Sequence, residues 1–80
     1  MNLRRIINDY TECGTFEIKI KEGKVRIYYY DNVESFSTNK IIIKAGKEIV
    51  EILGDNLAIE TMFKEFLVIN GIIKKVILVH

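Results

Sequence analysis

Proline is absent from this chain, and cysteine and histidine each occur once. With Cys13 alone, no internal disulfide can form, so a small fold here is not stapled and a reducing compartment is expected. The single His80 is the last residue and lies far in sequence from Cys13. No Asn or Asp is placed to orient the two as a dyad, which argues against nucleophilic catalysis. Charge of one sign is also missing: 12 Lys and Arg face 11 Asp and Glu, a formal +1. A bulk field that would draw the whole domain onto nucleic acid or acidic lipid is therefore excluded, and electrostatic binding must be local. Long apolar runs are missing too. None exceeds four residues, as at 66–69 and 76–79, whereas a spanning helix needs roughly 20. The opening MNLRRIINDYTE lacks the apolar core of a secretion signal.

What is present is a globular composition. The 80 residues are 49% apolar and 29% charged, enough for one small folded domain over 1–80 with a thin core and no linker. In residues 2–11, Leu3, Ile6, Ile7 and Tyr10 fall at i, i+3, i+4 and i+7, which predicts a short amphipathic helix with Arg4 and Arg5 turned mostly away. At that length it must dock, either on the domain's own sheet or on a partner or anionic membrane surface read by the two arginines.

From Thr15 the period becomes two. Phe16, Ile18 and Ile20 alternate with Glu17, Lys19 and Lys21, the chain turns at Glu22-Gly23, and Val25, Ile27 and Tyr29 continue opposite Lys24, Arg26, Tyr28 and Tyr30. Further strands are predicted at 33–36, 40–44, 48–53, 57–61, 65–70 and 72–79, separated by Gly, Asn and Asp. That makes about eight short strands in an all-β body over 15–79. Short connections require mostly antiparallel, up-and-down pairing. Several later strands are apolar on both faces, so the meander is expected to fold into a two-layer roll or sandwich.

Chemical sites are scarce. Acidic residues stand singly, in turns or at alternate strand positions, so no metal or cofactor site is predicted. Ala45-Gly46-Lys47 is a hairpin turn and lacks the glycines and helix of a phosphate loop. The face of Lys24, Arg26, Tyr28 and Tyr30 has three readings: a solvated strand face, a protein contact, or a nucleic-acid platform, the last weakened by the mixed charge of Glu17 and Lys19 beside it. The strand at 72–79 is expected at a sheet edge, with Val76 and Leu78 meeting a second copy or a partner by strand addition.

Phe36 followed by Ser-Thr-Asn-Lys and Ile41-Ile42-Ile43, then Ile52-Leu53-Gly54-Asp55-Asn56-Leu57-Ala58-Ile59, then 66–73 with Asn70-Gly71-Ile72-Ile73, carry a resemblance to the YabP/YqfC family of bacterial sporulation proteins, closest to the YqfC branch. The resemblance covers nearly the whole chain. In two places the chain departs from it: Gly46 stands about two residues early, and Tyr29-Tyr30 replaces an Asn-His pair. The resemblance implies a non-enzymatic protein of the mother-cell cytoplasm that acts in spore envelope development, coat or cortex, beside a YqfD-like membrane partner, with peripheral contact to the forespore envelope. No nucleic acid is expected as a ligand. The rival from another class is a small OB- or Sm-like nucleic-acid-binding barrel.

Overall fold

The computed structural model describes residues 4–6, 10–13 and 16–79. These form one antiparallel sheet of strands β1 (Arg4–Ile6), β2 (Tyr10–Cys13), β3 (Phe16–Lys21), β4 (Lys24–Tyr28), β5 (Asn32–Phe36), β6 (Lys40–Ala45), β7 (Glu48–Met62) and β8 (Phe66–Val79). The order is β2-β3-β4-β8-β7-β6-β5, and β1 also pairs with β8. The all-β, antiparallel expectation holds, but the up-and-down order breaks where β4 pairs with β8 and not with β5, and three further corrections follow.

First, the N-terminal helix is replaced by strands at its described residues. Arg4–Ile6 pair with Ile77–Val79, and Tyr10–Cys13 pair with residues 16–19 of β3. So short a helix gains little by itself, whereas each strand completes a ladder beside backbone groups that would otherwise be unpaired. Residues 2, 3 and 7–9 lie outside the described residues.

Second, the body holds six strands, β3–β8. The predicted pairs 48–53 with 57–61 and 65–70 with 72–79 are two continuous strands of 15 and 14 residues. Third, one sheet replaces the two expected layers, and it closes its apolar face by bending. A straight strand of β7's length would span about 50 Å, yet the longest dimension of the molecule is 31 Å.

The bend is written into backbone geometry. The β7–β8 register shifts three times, between Leu53 and Gly54, between Asp55 and Ala58, and between Ile59 and Thr61, and such bulges curve a strand. At Gly54 a Cβ would stand 1.9 Å from the carbonyl oxygen of Ile72; at Gly71, where φ is +131°, it would stand 2.6 Å from the carbonyl oxygen of Asn56. Only glycine fits either place. Both glycines therefore serve backbone geometry inside strands and do not end them. The β5–β6 turn braces the bend, its Thr38 and Asn39 carbonyls accepting hydrogen bonds from the Leu57 and Gly54 amides at 2.8 and 3.1 Å.

Bending brings the inner faces of both halves of the sheet into one core. Phe16, Ile18, Val25, Ile27, Leu67 and Ile69 come from one half, and Ile41, Ile43, Val50, Ile52, Val76 and Leu78 from the other. Each such side chain contributes about 1.5–3 kcal/mol by leaving water. The β3–β4 turn is as predicted: Glu22 and Gly23 both have positive φ, 32° and 73°, the pattern of a two-residue hairpin loop of primed type. Among the described residues no helix is long and apolar enough to cross a membrane.

Candidate functional site

Strand β4 alternates as the sequence predicts, Val25 and Ile27 buried and Lys24 and Arg26 exposed, until Tyr28. Tyr29 then adopts φ +62°, a left-handed conformation uncommon for a bulky residue. This residue flips the alternation. Tyr30, expected beside Tyr28 on the outer face, instead packs against the core, and its hydroxyl donates to the Phe63 carbonyl at 2.8 Å. The Tyr29 amide donates to the Glu65 carbonyl at 2.6 Å, which fixes the turn against the β7–β8 hairpin.

The companions of Tyr28 come from that hairpin. Tyr28 pairs with Phe66 across the β4–β8 ladder, their ring centroids 5.5 Å apart; Phe63 lies 5.2 Å from Phe66, and Tyr29 lies 6.3 Å from Tyr28. The result is a continuous aromatic run, Tyr29-Tyr28-Phe66-Phe63, at one corner of the sheet. Its ends are open to solvent: Tyr29 is 59% exposed, Phe63 55%, and the neighbouring Met62 56%. Contiguous apolar groups held in water mark contact sites. Their sequence signal was faint, because Phe63 and Phe66 sit beside a loop and Phe66 meets Tyr28 only through a pairing of strands distant along the chain.

Cations border this run. The Lys19 ammonium lies 5.6 Å from the centroid of Tyr28, and the Arg26 guanidinium 5.8 Å from that of Phe66, within cation–π range. Arg26 also donates from Nη1 to the Tyr28 hydroxyl at 3.4 Å. A stacking platform for bases needs open ring faces; here cations already lie over two of them. Farther along, Lys24 Nζ donates to both Glu60 oxygens at 3.1 and 3.2 Å, and Asn70 donates to the same carboxylate. The Lys24 hydrogen bond, foremost, lowers the Glu60 carboxyl below its ordinary value.

The edge-strand expectation is overturned. β8 is central, flanked by β7 along its length and on its other side by β4 at residues 66–70 and β1 at 77–79. Val76 and Leu78, offered as contact residues, are each 1% exposed and belong to the core. They read as two-faced because β8 is covered on both faces near its end. An actual edge is β5, which carries a bulge between Val33 and Ser35 and an exposed Glu34, features that blunt strand addition. The backbone of Arg4 and Arg5 lies in β1; their side chains, and His80, lie outside the described residues. Among the described residues no group of three or more His, Cys, Asp or Glu is placed to hold a metal ion.

Sheet and site together define an all-β protein with one bent sheet and an aromatic corner bordered by cations. No family model, curated protein or solved structure matches this chain.

Proposed function

We propose that this chain is a non-enzymatic interaction module whose aromatic corner docks a protein partner. One observation carries the reading: Tyr29, Tyr28, Phe66 and Phe63 form an unbroken run whose outer members stay in water. Aromatic side chains on rigid backbone are the anchors that dominate protein interfaces, since they bury much area at little entropic cost. The left-handed Tyr29 adds weight, because backbone strain at an exposed residue is retained where it serves a purpose. Resemblance to the YabP/YqfC family supplies the setting. The module would act in spore envelope development, in the mother-cell cytoplasm and peripheral to the forespore envelope, with a YqfD-like membrane protein as partner. Cations over Tyr28 and Phe66 favour this reading over an OB- or Sm-like nucleic-acid binder.

The test is co-purification of the chain with a co-expressed YqfD-like membrane protein from the same genome, using the native chain and a Tyr29→Ser/Phe63→Ser variant. The native chain should be retained and the variant lost, with the variant's thermal midpoint at or near that of the native protein. Equal retention of both, or of neither, would overturn the proposal.

A further inference from the structure

The outer face of the β3–β4 hairpin sets cation against cation. The register places Lys19 opposite Arg26 and Lys21 opposite Lys24, two consecutive like-charge pairs, each destabilising to a sheet. All four residues are exposed, and with Glu22 they line a cavity of about 290 Å³. One third of the chain's 12 Lys and Arg thus gather around one depression on a molecule of formal charge +1. Glu60 partners Lys24. Lys19 and Arg26 are held over the rings of Tyr28 and Phe66, which positions their charge without neutralising it.

We propose that this cavity binds a small polyanion of the phosphate class, either a free phosphorylated solute or a lipid headgroup. Three of the four cations are lysines, which bind phosphate as point charges, whereas a planar carboxylate is better matched by the arginine fork. The volume lies at the small end for ligand sites, and cations already held in place lower the ordering cost of binding. A bound anion would also offset the repulsion that the register builds in. The cavity adjoins the aromatic corner through Lys19 and Arg26, but the proposal does not rest on that corner's role.

Calorimetric titration with inorganic pyrophosphate, at low and moderate salt, tests the soluble source. Flotation with phosphatidylglycerol vesicles, against phosphatidylcholine vesicles, tests the headgroup. Saturable binding of pyrophosphate points to a solute, and binding of the anionic vesicles alone points to a membrane. In either case Lys19→Gln/Lys21→Gln should weaken binding by about 10-fold or more. Its thermal midpoint without ligand should stay the same or rise, since a repulsion is removed. Lys44→Gln/Lys75→Gln, which changes exposed cations outside the cavity, should bind as the native chain does. Three results would each overturn the proposal. One is failure of both probes, and another is equal weakening by the two double variants. The third is tighter binding of a single-stranded oligonucleotide that vanishes in Tyr28→Ala/Phe66→Ala, which would assign the face to nucleic acid instead.

Discussion

The hairpins β3–β4 and β6–β7 bury matching inner faces and expose opposite ones. Inward, Phe16, Ile18, Val25 and Ile27 on one hairpin and Ile41, Ile43, Val50 and Ile52 on the other are all fully buried. Outward, β6–β7 sets Lys40 3.7 Å from Glu51, an attraction across the ladder, whereas β3–β4 aligns Lys19 with Arg26 and Lys21 with Lys24. A face that serves only the fold can settle into opposite charges. The β3–β4 face gives up that stability, and the strained Tyr29 lies at the end of the same strand. The fold therefore accounts for the inner faces of both hairpins and for the outer face of only one.

Gly54→Val should abolish the contrast by unfolding both hairpins together. Its side chain would collide with the Ile72 backbone, and a loss above about 4 kcal/mol is a large part of the total stability of a small domain. The expected result is no cooperative thermal transition by circular dichroism; a native-like transition would mean that the bend can move.

Ile27→Ala and Ile43→Ala probe the shared inner face and should each cost about 2–5 kcal/mol in urea unfolding. Values that differ by more than the width of that range would show that the two halves do not share one core.

Tyr29→Gly should work in the other direction. Relief of the left-handed backbone is worth about 1 kcal/mol, less the entropy that glycine adds to the unfolded chain, so the midpoint should hold or rise slightly while partner capture falls. A clear drop in stability would place Tyr29 in the core's service instead.

The smallest effects sharpen the comparison most directly. Lys21→Glu turns a like-charge pair into an opposite one and should stabilise by up to about 1 kcal/mol, and Glu51→Lys should destabilise β6–β7 by a similar amount. Both changes should shrink at high salt. Shifts of the same sign for the two variants would dissolve the distinction between the faces.

Much of this was legible in the residues, and the failures have physical causes. Period-two patterning placed β3 and β4, and Glu22-Gly23 placed their turn, because one face is wet and one is dry. Gly54-Asp55-Asn56 and Asn70-Gly71 carry the composition of turns, but a bulged bend in a long strand asks for the same residues, including the positive φ of Asn56. The Leu3, Ile6, Ile7, Tyr10 stripe fits a helix by spacing alone, and tertiary pairing decided otherwise for its described residues. Tyr30 was misplaced by a single conformation at Tyr29 that tyrosine seldom adopts. The contact of Tyr28 with Phe66 depends on β4 choosing β8, a choice no local pattern encodes.

The brace across the bend has a consequence for exchange with solvent. Amides in a bulge usually lose their ladder partner and exchange their protons early, but those of Gly54 and Leu57 donate to the 38–39 segment, which is held by β5 and β6. Their exchange then requires the β5–β6 turn to lift away, so these two amides should be protected as a group with β6. In deuterium labelling, the most irregular stretch of β7 would keep time with its most regular neighbour.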